Sequence, residues 1–263
     1  KHAKIEPERF YYHCDQLGML VWQDMVNGGS AYKHWFVTYL ATLMNWNHIS
    51  FSDDEKHAGL LSRLHPEGKD EFRREITETI AFLYNHPSIV VWVPFNEGWG
   101  QFDALAACEQ IRTLDSSRLV DHASGWFDQK GGDILSLHYY FLKLKFKPES
   151  KRAAALTEFG GYSLSIPGHS CCKKVYGYKK FNSTGTLTYG YIDLIRQTIL
   201  PAVKKGIGAT VYTQLSDIEE ETNGIYTYDR EICKIDPDTL RKWNRALKEA
   251  GECKTYACLL YTS

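Results

Sequence analysis

The feature that most narrows the fold is a repeated unit: a short apolar run, a polar or glycine-bearing loop, then a stretch with helical spacing. The apolar runs are Met19-Leu20-Val21-Trp22, Ile89 to Phe95, Arg118-Leu119-Val120, Ile134-Leu135-Ser136-Leu137, Ala153 to Leu156 and Gly208 to Tyr212. Each has the length and composition of a buried strand. Between them, Glu71 to Leu83 sets Phe72, Ile76, Ile80 and Leu83 on one stripe, which predicts an amphipathic helix. Phe102–Leu114, Tyr191–Val203 and Asp238–Glu249 predict three more. His86-Pro87 stops the first, because proline disfavours helix in the residue before it. Pro201 predicts a kink or an end in the third. Pro237 suits the first turn of the last. Strands that alternate with helices run parallel and are joined by crossovers.

An open doubly wound sheet and a closed barrel both satisfy that alternation. Polar residues at the carboxyl ends of the strands favour the barrel: Asp24, Glu97, His122, His138, Glu158 and Gln214. In a TIM barrel such ends converge on one face, whereas in an open sheet only a few meet at the switch point. The expected class is therefore α/β, a (β/α)8 TIM barrel. Six strands are legible and eight are needed, so the barrel is expected to be incomplete, with its first strand–helix unit missing upstream of Lys1. The domain is expected to span residues 1–252. Residues 253–263 read as a tail outside it, because Tyr256 to Ser263 follow neither strand nor helix pattern; a cloning remnant would look the same.

Composition narrows the function. The chain has 263 residues, 43% hydrophobic and 24% charged, which suits a globular domain with its own core. A formal net charge of −1 gives no bias toward nucleic acid or a membrane surface, and no apolar run reaches membrane length. The seven cysteines show neither CxxC nor zinc-ligand spacing, so free thiols are expected. That slightly favours the cytoplasm. Seventeen Tyr, twelve Phe and seven Trp fit either a ring-rich core or a sugar site, where flat rings pack on pyranose C–H faces. For Trp22, Trp126 and Tyr212, core packing is the preferred reading.

Two glutamates carry the candidate chemistry. Glu97 follows a fully apolar strand and the residue Asn96; Glu158 is followed by Phe159-Gly160-Gly161. They are 61 residues apart, room for three strand–helix units. Two carboxyl groups on one barrel mouth are the minimum apparatus for glycoside hydrolysis. The acid must hold its proton when substrate binds, and burial among rings raises a carboxyl pKa. Trp92, Phe95 and Trp99 are near enough in sequence to supply that setting. The competing reading makes each glutamate a strand-end salt-bridge partner.

The run Asn85-His86-Pro87-Ser88-Ile89-Val90-Val91-Trp92-Val93-Pro94-Phe95-Asn96-Glu97 resembles the acid/base signature of glycoside hydrolase family 2, which includes β-galactosidases, β-glucuronidases and β-mannosidases. Phe10 to Trp22 resembles the family's other signature, a helix and strand ending in an acidic residue, here Asp24. Thr157-Glu158-Phe159-Gly160-Gly161 resembles its nucleophile strand. The likeness covers about residues 1 to 250. It implies a retaining exo-β-glycosidase that acts on terminal neutral β-D-sugars, most similar to a β-galactosidase, with Glu97 as acid/base and Glu158 as nucleophile. It also implies that Asn96 bonds the sugar 2-hydroxyl and that Tyr139 contacts the nucleophile, with Tyr140 adjacent. His138 and Asp24 are further candidate sugar ligands; a satisfied core histidine competes at His138. The alternative function is an inactive carbohydrate-binding protein on the same scaffold.

Two departures matter. Lys1-His2-Ala3-Lys4 lacks the Ser-His-Tyr-Pro form of many members, and no Asn-x-Lys motif follows the nucleophile, which argues against a glucuronide. No cofactor is expected; some relatives use magnesium, but no ligand set is evident. HExxH, Walker, GxSxG and GxGxxG motifs are absent. The expected partner is a carbohydrate; oligomeric state has no signal in the sequence.

Overall fold

A computed structural model describes residues 1–33, 35–46, 49–140 and 144–259. The chain divides into two compact units, Lys1–Leu137 with Ser150–Ala153, and His138–Glu149 with Ala154–Ser263.

The first unit is built on a parallel ladder. Helix α1 (Glu8–Leu17) starts after Pro7 and ends at Gly18, whose φ of 65° lets its N–H turn back to Asp15 and Cys14 carbonyls. Strand β1 (Val21–Asp24) follows. A five-residue π-helical segment, Phe36–Leu40, runs into α2 (Ala41–Trp46). Helix α3 (Pro66–Leu83) has proline in its first turn and buries Phe72, Ile76, Ile80 and Leu83, the expected stripe. Each such side chain stabilises the fold by about 1.5–3 kcal/mol. Strand β2 (Ile89–Val93) pairs parallel with β1. Helix α4 (Ala104–Leu114) is capped from a distance: the buried Asp53 carboxylate accepts from Ala104 N at 3.0 Å and from Gln101 Nε2 at 2.9 Å. Strand β3 (Leu119–Val120) completes the order β1-β2-β3.

The core of this unit lies between that ladder and α1, α3 and α4, with Tyr11, Ile76, Trp92, Phe95 and Ile111 fully enclosed. Trp92 Nε1 donates to Asp115 at 2.9 Å, and Arg118 donates to the same carboxylate at 2.6 Å. His122, at the end of β3, is 1% exposed and lies 3.1 Å from Asp128. Asp128 also takes a two-pronged contact from Arg152, at 2.7 and 2.8 Å. Burial alone would raise the Asp128 pKa; His122 and Arg152 outweigh it and hold the carboxyl well below the usual range.

Strand β4 (Ile134–Tyr139) begins in the first unit and β5 (Ala153–Gly160) ends in the second. Two short strands, β6 (Tyr162–Ser163) and β7 (Lys179–Lys180), pair with each other. Helix α5 (Thr184–Leu194) opens on a reciprocal cap in which Ser183 Oγ accepts from Thr186 N and Thr186 Oγ1 accepts from Ser183 N. It passes through a π-helical turn, Ile195–Ile199, into α6 (Leu200–Lys205), with Pro201 in the first turn of α6. The expected kink is thus taken up by a local widening of the helix, which relieves the ladder where proline has no N–H. Strand β8 (Ile207–Thr213) pairs parallel with β5. Helix α7 (Pro237–Leu259) is capped by Asp236, which accepts from Thr239 N at 2.7 Å. It runs past residue 252; residues 260–263 lie outside the described part.

All six expected strands are present as β1, β2, β3, β4, β5 and β8. Among the described residues no ladder holds more than three strands, so the hydrogen bonding does not close a ring. No described helix is long and apolar enough to cross a membrane.

Candidate active site

In the first unit, β2 runs out through Pro94 and Phe95 to Asn96, which bridges to Ser124 in the loop after β3. Ser124 N donates to Phe95 O at 2.8 Å, and Glu97 N donates to Ser124 O at 2.9 Å. The backbone of Glu97 is therefore pinned at a strand end. Its φ is 50°, a left-handed conformation rare outside glycine, and Gly98 follows with φ 70°. A Cβ at Gly98 would sit 2.3 Å from the Phe127 ring, so only glycine lets that ring close on this turn. Strained non-glycine backbone persists only where surrounding contacts hold it, and it clusters at functional sites. Asn27 Nδ2 donates to Trp99 O at 2.9 Å and secures the far side of the turn.

Asn96 is buried, at 5% exposure. Trp92 and Phe95, expected to surround Glu97, belong to the core instead: Trp92 bonds Asp115 and Phe95 stacks on Phe72 at 5.0 Å. Of the three rings only Trp99 stays exposed, tilted against Tyr32 at 5.5 Å. Asp24, at the end of β1, is engaged by the first residues of the chain: its Oδ2 accepts from Ala3 N at 3.0 Å and lies 3.1 Å from His2 Nδ1.

In the second unit, Glu158 lies on β5 two residues before its end, and Tyr140 donates its hydroxyl hydrogen bond to Glu158 Oε2. The same hydroxyl is 3.3 Å from Thr213 Oγ1 at the end of β8. His138 is enclosed and carries Nδ1 3.7 Å from Glu158 Oε2, an ion-pair distance and too long for a hydrogen bond. The sequence reading gave the nucleophile contact to Tyr139; the structure corrects it to Tyr140. Side chains alternate along an extended chain, so residues 138 and 140 share the face toward Glu158 and residue 139 takes the other. That alternation was available in the sequence.

Two further positions brace this setting: Tyr178, which had no sequence signal, and Gly161, which closes the run that resembles the nucleophile strand. Tyr178 stacks on Tyr140 with ring centroids 4.1 Å apart and planes at 22°. Gly161, φ 63°, packs against both rings; a Cβ there would meet Tyr178 at 2.4 Å and Tyr140 at 3.1 Å. Gln214, expected among the strand-end polar residues, is engaged by its neighbours: its Nε2 donates to Asn223 Oδ1 at 2.7 Å and Glu221 Oε2 at 3.0 Å. Within this unit, His169, Asp229 and Glu231 have potential ligand atoms within 4.8 Å of one another. Asp229 Oδ2 is already paired with His169 Nδ1 at 2.7 Å.

The sequence pattern of the family described as glycosyl hydrolases family 2, TIM barrel domain, matches residues 6–200. The chain belongs to glycoside hydrolase family 2. Its β-strand-and-crossover units are those of a TIM barrel. A β-D-glucuronidase of Dictyoglomus thermophilum superimposes with a TM-score of 0.60 at 14% identity, over 92% of this chain and 43% of that one. A family 2 β-galacturonidase of Eisenbergiella tayi gives 0.55 at 18% identity, over 91% and 43%. At such identities the likeness concerns the fold. In sequence, the chain is 26% identical to a β-galactosidase of Leuconostoc mesenteroides over 94% of its own length and 22% of that protein's. It is 32% identical to β-mannosidase B of Thermothelomyces thermophilus over 36% of its length and 8% of that protein's. The family 2 chain thus spans less than a quarter of these two curated relatives.

Proposed function

We propose that this chain carries the catalytic residues of a retaining exo-β-glycosidase acting on terminal neutral β-D-sugars. The observation that supports it most is the setting of Glu158: a carboxylate near the carboxyl end of a parallel strand, bonded by Tyr140 and faced by His138. A hydroxyl donor keeps a carboxylate ionised and oriented, as a nucleophile requires. Glu158 attacks the anomeric carbon as Glu97 gives its proton to the departing oxygen. Glu97 then takes a proton from water, which displaces Glu158 and releases the sugar with its anomeric configuration kept. Asn96, adjacent to Glu97, bonds the 2-hydroxyl, a contact that tightens in the transition state. His138 and Asp24 are assigned to sugar hydroxyls.

Galactose is the preferred sugar, because the relative aligned over most of the chain is named a β-galactosidase. Mannose is the second choice, from the shorter alignment to β-mannosidase B. The absence of Asn-x-Lys argues against glucuronate.

A 2-deoxy-2-fluoro glycosyl fluoride tests the assignment. With the full-length protein it should leave one fluorosugar on Glu158, and Glu158→Gln should abolish both labelling and turnover of an aryl β-glycoside. Labelling at another carboxylate would overturn the assignment. Sugar binding without labelling or turnover would favour the inactive carbohydrate-binding alternative.

A further inference from the structure

Cys171 and Cys172 lie next to each other in the segment that links β6 to β7, and their sulfurs are 3.7 Å apart. Both are free; Cys171 is exposed and Cys172 partly so. The segment is anchored on either side of the pair. Ser170 Oγ lies 3.1 Å from Ser165 Oγ, and Tyr176 N donates to Glu220 O at 2.7 Å. The thiols are thus presented from a tethered stretch of backbone.

Three outcomes are open to such a pair: a disulfide, a four-ligand metal, or a centre needing only two thiolates. Adjacent α-carbons across a trans peptide are about 3.8 Å apart. That is below the usual lower bound of about 4.4 Å for a disulfide, so a direct S–S bond is disfavoured. Inserting one atom between the sulfurs enlarges the ring and removes that constraint. A thiophilic centre about 2.3 Å from each sulfur spans them at roughly 3.3–3.8 Å, the lower end for a pyramidal angle and the upper for a tetrahedral one. The observed separation matches. Zinc needs four ligands. Among the described residues, no third His, Cys, Asp or Glu clusters with this pair at metal-ligand distance. An organoarsenic(III) centre already carries one carbon and needs only two thiolates.

We propose that Cys171 and Cys172 form a two-thiolate chelating site for mono-substituted trivalent arsenicals. With phenylarsine oxide the reaction balances without an oxidant or reductant. Two As–S bonds replace the arsenic–oxygen bonding, both thiol protons leave with the oxygen as water, and arsenic stays trivalent. The hydrogen bond that Cys172 donates to Cys171, with a smaller contribution from burial, raises the Cys172 thiol pKa. The pair therefore reaches neutral pH with a proton to give up.

The test adds phenylarsine oxide to the full-length protein carrying Cys253→Ser and Cys258→Ser, then measures intact mass. One phenylarsenic unit should be gained for two protons lost, and peptide mapping should place it on the Cys171-Cys172 peptide. A dithiol such as 2,3-dimercaptopropanol should remove it, whereas an equal thiol concentration of 2-mercaptoethanol should not. Cys171→Ser and Cys172→Ser, added singly, should each abolish the monothiol-resistant adduct and lower adduct yield at least tenfold. The site is overturned by an adduct elsewhere, by removal with the monothiol, or by single variants that bind as well as the parent. Protection of both thiols from iodoacetamide by zinc ions alone would overturn the two-ligand assignment. The peptide map needs no Cys171 or Cys172 variant, so it stands whether or not those variants fold.

Discussion

Tyr140 is the residue on which the setting of Glu158 turns. The sequence offers Tyr139 with Tyr140 beside it, and one position in a strand is the opposite face. Removing the hydroxyl should remove a donor aimed at the proposed nucleophile, a change that typically costs roughly 10²–10³ in turnover. Tyr140→Phe should therefore lower kcat on an aryl β-glycoside by at least about 10²-fold. Tyr139→Phe should stay within about twofold of wild type, since Tyr139 faces away. Equal losses from the two would sink the corrected register. Asp115 makes a different case, because its work is structural. Burial pushes its pKa up, but hydrogen bonds from Ser117, Arg118 and Trp92 outweigh this and hold the carboxyl at about 2. An aspartate depressed in the folded state adds stability that is full above its unfolded pKa of about 3.9 and fades as pH falls through the folded value. Asp115→Asn should cost about 2–3 kcal/mol at pH 7, and the gap to wild type should narrow between pH 4 and pH 2. Urea titrations across that range measure it.

The elements divide by how far their formation depends on local signals. α3 was legible from its stripe, and β2 from its run of apolar residues. The start of the α5 helix at Thr184, well before the expected Tyr191, was marked by Ser183 and Thr186, a reciprocal cap readable in retrospect. The β6–β7 pair was not readable: each strand has two residues, and β7 is Lys179-Lys180, with no apolar alternation. Yet β7 follows directly on Tyr178, which braces Tyr140. These two regions predict separable effects. Ser183→Ala should lower stability by about 1 kcal/mol through the lost cap and leave kcat unchanged. Gly161→Ala places a Cβ against Tyr178 and Tyr140 at a positive φ, so it should lower kcat as well as stability. Equal kcat values for the two variants, with both folded by circular dichroism, would remove the bracing role of Tyr178.

For the whole molecule, the proposed double displacement sets what the complete protein is expected to do. It needs two carboxyl groups and water, and no electron or group carrier. Hydrolysis of nitrophenyl β-glycosides should be fastest with galactoside, slower with mannoside and slowest with glucuronide. Proton NMR of early product should show the β-anomer first. Incubation with EDTA should leave the rate unchanged within about twofold; a loss restored by magnesium would assign the cofactor used by some relatives. An α-anomer as the first product would exclude the retaining mechanism, which depends on a covalent sugar–enzyme intermediate.

The sequence alone determined the parallel strand-and-crossover plan, the six strands, the α3 core stripe and the two glutamates at strand ends. Those features arise from periodicity and motif, which are properties of neighbouring residues. Only the tertiary structure decided that Asp53 caps α4, that Trp92 and Phe95 serve the core, that Asp24 answers to Ala3, and that Tyr140 with Tyr178 attends Glu158. Each of those is a contact between residues far apart in the chain: strand alternation says which neighbours share a face, but the partner that face meets is chosen only by packing.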